Sequence, residues 1–282
     1  RRLFFDPRLS VSGRYSCASC HQPERAYTDG RIRSVGAAGG VLPRQSMSLL
    51  NVAYAVSLGW TAPGASSLEA QMRTPLFNRH PVEMGLTGRV GVVLRQLAGD
   101  PPSAADFARA FPRSPAPTLA HLIDAIACYE RSLIAGRSAF DRYVFSDEPD
   151  ALGSAAKRGM ALFFGPRLQC AGCHFGLNLA GPALLAGKRR PAALFADDGT
   201  QGRFKVPSLR NVALTAPYMH DGRYADLAAV IDHYEHLQRD RAADERLDSR
   251  LAQIRLSPAE KQDLIEFLRS LSDPVARGPA GP

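Results

Sequence analysis

The 282-residue sequence has no long apolar run, five cysteines, one tryptophan, and no stretch where apolar and polar residues alternate over the length of a strand. Each shortage excludes something. Without roughly 20 consecutive apolar residues, no helix spans a bilayer. Without period-two alternation, the fold is expected to be mainly α. Four of the five cysteines fall in two copies of one short motif, so Cys128 has no partner and a structural disulfide is excluded. Cys128 sits in the helical run 122–128, where a small thiol reads as buried packing. The formal charge of +8 is scattered among acids except at Arg1-Arg2 and Lys188-Arg189-Arg190. No recognition motif accompanies it, which argues against nucleic-acid binding and leaves an acidic protein partner or a plain solvated surface.

What is present is Cys17-Ala18-Ser19-Cys20-His21, written again as Cys170-Ala171-Gly172-Cys173-His174. C-x-x-C-H is the attachment pattern of c-type haem. Two thiols one helical turn apart bond to the porphyrin edge, and the adjacent imidazole reaches the iron. A pair of such motifs favours two covalent haems over a zinc or redox C-x-x-C site. One motif in each half suggests two haem domains, residues 1–148 and 149–282, divided at the acidic loop 146–150. Haem attachment of this kind takes place outside the bacterial cytoplasm, so a periplasmic location is expected. The opening Arg1-Arg2-Leu3-Phe4-Phe5 has no leader character, so any signal peptide is expected to have been removed or left out.

Along the chain, Leu68 to Met72 reads as a short helix ended by Pro75, and further helices are expected near 88–98 and 104–110. Pro117 to Leu133 carries Leu119, Leu122, Ile123 and Ile126 at helical spacing. Helices are also expected near 155–164 and from Leu227 to about Leu237, where Val230, Ile231 and Tyr234 share a side. Ser257-Pro258-Ala259-Glu260 is a capping box that opens a last helix. Residues 181–203, rich in Gly, Pro, Lys and Arg, read as a long surface loop, as does the stretch holding Pro63 and Gly64.

The order of these motifs resembles the bacterial dihaem cytochrome c peroxidase and MauG superfamily. The resemblance is carried by Leu3-Phe4-Phe5-Asp6-Pro7-Arg8-Leu9-Ser10, Pro81-Val82-Glu83-Met84-Gly85, Phe140-Asp141-Arg142-Tyr143 and Val206-Pro207-Ser208-Leu209-Arg210-Asn211-Val212-Ala213 running into Thr215-Ala216-Pro217-Tyr218. It implies two cytochrome-c-like haem domains packed against each other. Three details lean toward the MauG/MbnH-like branch. Tyr234 stands where the peroxidases place a Met as second axial ligand of the C-terminal haem, with Met219, His220 and His233 as nearby substitutes. A Tyr oxygen favours oxidised iron, whereas a thioether raises the potential. No histidine lies between His21 and His80, so the loop residue that caps the first haem in the peroxidases is missing; that haem is expected to be bound by His21 alone unless His80 swings in. Glu83 would be the acid-base group over the open iron, with Gln71 and Pro75 lining the site.

The resemblance further places Trp60 between the two haems as a carrier of oxidising equivalents. It implies a calcium ion held by Asn51, Thr215 and Pro217, a donor set of oxygens that suits this cation. One departure is Leu168, where MauG has a tryptophan on the route to its protein substrate, so the exit route must differ. The expected activity is peroxide-dependent oxidation, with two oxidising equivalents stored over both haems and delivered to a residue of a periplasmic partner. That residue is expected to be a tryptophan, on a partner that could be a copper-binding protein. The alternative is a cytochrome c peroxidase that reduces hydrogen peroxide with electrons from a small cytochrome or copper protein. A closed, non-catalytic electron carrier is disfavoured by Glu83.

Overall fold

The structure is a computed structural model that describes residues 1–61, 64–181, 195–197, 203–241 and 254–274. Pro63 and the basic cluster Lys188-Arg189-Arg190 lie outside the described residues. The chain is mainly helical: α1 (Leu68–Phe77), α2 (Val90–Gly99), α3 (Pro101–Ala110), α4 (Leu119–Arg131), α5 (Ala139–Phe145), α6 (Ser154–Phe164), α7 (Leu227–Arg241) and α8 (Pro258–Ser270). Side chains set the starts. Ser67, Asp100 and Thr118 each accept a backbone N–H of the first turn, and Ser138 and Ser257 form full capping boxes with Asp141 and Glu260. No described helix is long and apolar enough to cross a membrane.

Two main cores result. Phe4, Leu9, Tyr27, Leu76, Leu97 and Leu122 anchor the first. The second gathers Phe140, Phe163, Leu168, Leu264, Phe267 and Leu271. Each large side chain so buried contributes about 1.5–3 kcal/mol. The second core depends on the close crossing of α6 and α8, where a Cβ on Gly159 would stand 2.0 Å from the Asp263 carbonyl oxygen. Although α5 precedes the acidic loop, its Phe140 meets Phe267 edge-on at 5.7 Å and belongs to the second core.

The halves repeat more than the haem motif. Leu3-Phe4-Phe5-Asp6-Pro7-Arg8-Leu9 returns as Leu162-Phe163-Phe164-Gly165-Pro166-Arg167-Leu168, and Asn51-Val52-Ala53 as Asn211-Val212-Ala213. Asn51 and Asn211 both take left-handed backbone, φ 58° and 57°, and each opens a short 3-10 turn. Each side-chain amide pairs with one residue just past a helix. Asn51 exchanges two hydrogen bonds with the Ala135 backbone beyond α4, and Asn211 does the same with Asp273 beyond α8. Asn is the residue type that tolerates this conformation and can still bridge the backbone.

Three expectations need correction. First, α1 runs through Pro75 to Phe77 rather than ending before it. The proline sits near the end of the helix, so little of the hydrogen-bond ladder lies beyond it. Second, Cys128 is exposed rather than packed inside, because it lies on the outward side of α4. Third, the stretch read as surface loop contributes an antiparallel strand pair, β1 (Phe195–Asp197) and β2 (Arg203–Lys205), with Phe195 opposite Lys205, while residues 182–194 and 198–202 lie outside the described residues. Strands of three residues are too short to show a period in sequence. Phe204, just past that stretch in β2, is 8% exposed and so belongs to the interior.

Candidate functional site

Each haem motif folds as a 3-10 turn, Cys17–Ser19 and Cys170–Gly172, that delivers the following histidine inward. His21 and His174 each send their backbone N–H to the first cysteine of the motif, at 3.0 and 2.9 Å. The imidazoles are then oriented by backbone carbonyls: Nδ1 of His21 meets the Tyr27 oxygen at 2.9 Å, and Nδ1 of His174 meets the Leu179 oxygen at 2.8 Å. A carbonyl only accepts, so Nδ1 carries the hydrogen and Nε2 keeps its lone pair for a metal. Burial pulls both imidazoles below their ordinary pKa, which favours the neutral, ligating form. Burial also pushes the Cys17 thiol up to about 12, and Cys20 and Cys170 up to about 11. Both motifs therefore present buried, protonated thiols rather than exposed reactive thiolates. Among the described residues no cluster of three or more His, Cys, Asp or Glu forms a metal cage.

The three residues expected over the first haem are brought together by α1 and the loop after it. Pro75 accepts the Met84 N–H at 2.9 Å, and the Glu83 carbonyl accepts the Ala37 N–H at 2.6 Å, so the Glu83 loop is held at both sides. A Cβ on Gly36 would stand 1.9 Å from the Val82 carbonyl oxygen, which leaves room for no other residue there. Glu83 Oε1 accepts from Asn78 Nδ2 at 3.4 Å. Burial lifts its carboxyl above the ordinary range and the Asn78 bond only partly opposes this. The segment bound to the Glu83 carbonyl also reaches the first haem motif, where Cys20 Sγ lies 4.0 Å from the Val35 carbonyl. Gln71 lies one turn before Pro75 on α1, with Oε1 3.6 Å from the Cβ position of Gly59. His80 is exposed.

A cavity of about 280 Å³ holds the second site, with mostly apolar walls that include Cys170, Cys173, His174, Leu168 and Tyr234. Tyr234 reaches it from α7, which also packs Ile231 into the second core. Of the substitutes for Tyr234, Met219 and His220 line the cavity, whereas Nδ1 of His233 pairs with the Tyr224 hydroxyl at 2.9 Å. Leu168 is 2% exposed, so it offers no surface aromatic. Trp60 forms part of the same wall, its indole N–H donating to the Gln45 carbonyl at 2.8 Å. Asn51, Thr215 and Pro217 line it too. Their oxygens are already engaged in part: Asn51 Oδ1 accepts the Ala135 N–H at 2.8 Å, and the Pro217 carbonyl accepts from Gln45 Nε2.

Residues 1–149 match the di-haem cytochrome c peroxidase family, and residues 156–272 match cytochrome c. Over 98% of its length the chain is 38% identical to the methylamine utilization protein MauG of Methylorubrum extorquens, covering 78% of that protein. The chain belongs to the dihaem cytochrome c peroxidase and MauG family. It is 32% identical to the cytochrome c551 peroxidase of Pseudomonas aeruginosa, over 96% of this chain and 77% of that one. Among solved structures, a MauG-like protein associated with microbial copper homeostasis superposes with a TM-score of 0.92 at 33% identity, over 99% of this chain and 89% of that one. As a member of the dihaem family, the chain is a haem oxidoreductase acting with hydrogen peroxide, and it carries two c-type haems. The residues present fit that cofactor: a pair of cysteines and an imidazole oriented through Nδ1 by a backbone carbonyl occur at both motifs.

Gln45 is a site residue that the motifs did not reveal. Its carbonyl holds the Trp60 indole, its side-chain amide holds Pro217, and its own N–H donates to the His220 carbonyl at 3.0 Å. A lone glutamine in a loop carries no sequence signal. The hold on Trp60 arises only when residues 45, 60 and 217 meet in space.

Proposed function

We propose that the chain is a periplasmic, peroxide-dependent dihaem oxidase of the MauG type. In this reading residues 1–148 would hold the peroxide-reactive haem through His21, and residues 149–282 would hold the second haem through His174 and Tyr234. The haems supply the iron that binds peroxide and the reach to store two oxidising equivalents. Glu83 moves the proton that O–O cleavage requires, and its burial keeps the carboxyl closer to neutral, as an acid-base group needs. Gln71 and Pro75 line that pocket, and Trp60, locked by Gln45, carries oxidising equivalents between the halves. The oxidation is delivered to a tryptophan of a periplasmic partner. A copper-binding partner is motivated by the copper-homeostasis association of the structural relative.

The observation that carries this reading is that Tyr234 and His174, from separate segments of the chain, line one cavity. Calcium belongs to the reading as well, held by Asn51, Thr215 and Pro217. Each oxygen has a second lone pair, and a donor set without a carboxylate implies weak, exchangeable binding. Met219 in the same cavity favours a second reading, a dihaem peroxidase with a thioether ligand that draws electrons from a small cytochrome or copper protein.

The test is to add stoichiometric peroxide to the fully oxidised holoprotein with no donor present, followed by optical and EPR spectra of wild type and Tyr234→Phe. A long-lived doubly oxidised state in wild type that disappears in the variant supports the oxidase. Protein that ignores peroxide until one haem is reduced gives the peroxidase reading the site, and a variant that keeps the state removes Tyr234 from the mechanism.

A further inference from the structure

Lys205 is the one Lys or Arg among the described residues that line the second cavity, and no Asp or Glu lines it. Among the described residues its ammonium group has no hydrogen bond or ion pair, and burial pulls it down to about 8. A cation held in an apolar wall without a counter-charge is costly, and such groups persist where an anion arrives to pair with them. The cavity's cofactor brings its own carboxylates.

We infer that Lys205 is the binding residue for a propionate carboxylate of the haem attached at Cys170 and Cys173, and that its charge sets the potential of that haem. The backbone makes the placement firm. Lys205 donates its N–H to the Trp60 carbonyl at 2.8 Å, and Phe204 pairs with Thr61 as an antiparallel bridge. Phe204 stacks on His220 at 3.8 Å, and Arg44 lies over its other surroundings, 5.1 Å from the ring centre. β2 therefore has little freedom to withdraw the ammonium from the cavity. Because Trp60 and Lys205 share this hydrogen bond, the carboxylate is held at the Trp60 end, where oxidising equivalents enter. A neighbouring positive charge disfavours the more oxidised iron, so it raises the reduction potential. The inference holds whether the enzyme is an oxidase or a peroxidase, since it concerns only how the second haem is held.

The experiment is a spectroelectrochemical titration of the holoprotein and of Lys205→Met, Lys205→Gln and Lys205→Arg, with both haems resolved by their spectra. Removal of the charge should move the second haem to a more negative potential and leave the first unchanged, while Arg should keep the wild-type value. Gln retains polarity and covers the case where Met blocks haem loading. Unchanged potentials in Met or Gln overturn the assignment. An equal fall in Arg overturns it too, because the effect would then follow packing rather than charge.

Discussion

Arg210 donates to Asp141 at 2.5 Å with only 3% and 6% of their side chains exposed, and so ties the segment leading into the Thr215-Pro217 turn to the start of α5. The carboxylate is fully used: its other oxygen accepts the N–H and hydroxyl of Ser138 at 3.0 and 2.6 Å. Arg210 also donates Nε to the Leu177 carbonyl at 2.7 Å, three residues beyond His174. Replacing Arg210 with Met strands a buried carboxylate, and the expected cost is about 3–5 kcal/mol. The midpoint of urea unfolding measures it, and a loss under 1 kcal/mol would show that Asp141 finds another partner.

Glu83 offers a kinetic test that leaves the fold alone. Glu83→Gln keeps the Asn78 contact and the shape of the loop but removes the titratable proton. Peroxide consumption should fall by about 10²–10⁴-fold, the usual worth of a positioned acid-base group. Haem content and the resting spectrum should not change. Activity within a few-fold of wild type would move the proton transfer to another group or to solvent.

These two groups differ in how they could be read from sequence. The haem ligands are local: five consecutive residues carry the chemistry, and the repeat of those five residues fixes both sites. Glu83 and Tyr234 stand out in the sequence only through the company of neighbouring motifs, since a single Glu or Tyr is otherwise ordinary. Arg210, though inside a family motif, gives no hint of its partner, and Gln45 and Lys205 carry no signal. Their partners lie 69, 172 and 145 positions away (210 − 141, 217 − 45 and 205 − 60), and no periodicity encodes a contact of that kind. The helices were legible because burial repeats every turn, whereas Pro75 was misjudged because the cost of a proline depends on how much helix follows it. Small residues occur on both sides of α4, so the sequence does not show that Cys128 faces out.

Gly159 tests the crossing of α6 and α8. Its Cβ position lies 2.0 Å from the Asp263 oxygen and 2.8 Å from the Phe267 Cβ, and the first of these is backbone that cannot rotate away. The helix would ordinarily gain up to about 1 kcal/mol from Gly→Ala. Here overpacking should reverse the sign, with a net loss of about 1–3 kcal/mol. Thermal unfolding of Gly159→Ala measures the balance, and a more stable variant would mean that α8 can slide.

Glu130 gives the pH dependence its sign. It is 7% exposed on α4, its nearest charge Arg131 is already bound to Glu69, and burial lifts its carboxyl from 4.5 to about 8. Between those two values the folded chain binds a proton that the unfolded chain releases, so this group makes stability fall as pH rises, until the loss is complete above about 8. Glu69 has the opposite shift, down to about 2, and its window lies below 4.5, so it adds no slope near neutrality. Every other titrating group is common to wild type and variant. The difference between wild type and Glu130→Gln therefore isolates the carboxyl. In urea titrations at pH 5.5 and pH 8.5, the variant's advantage should grow by a few kcal/mol. A constant difference across that range would mean that water or a counter-charge reaches Glu130 and that its carboxyl ionises at the ordinary pH.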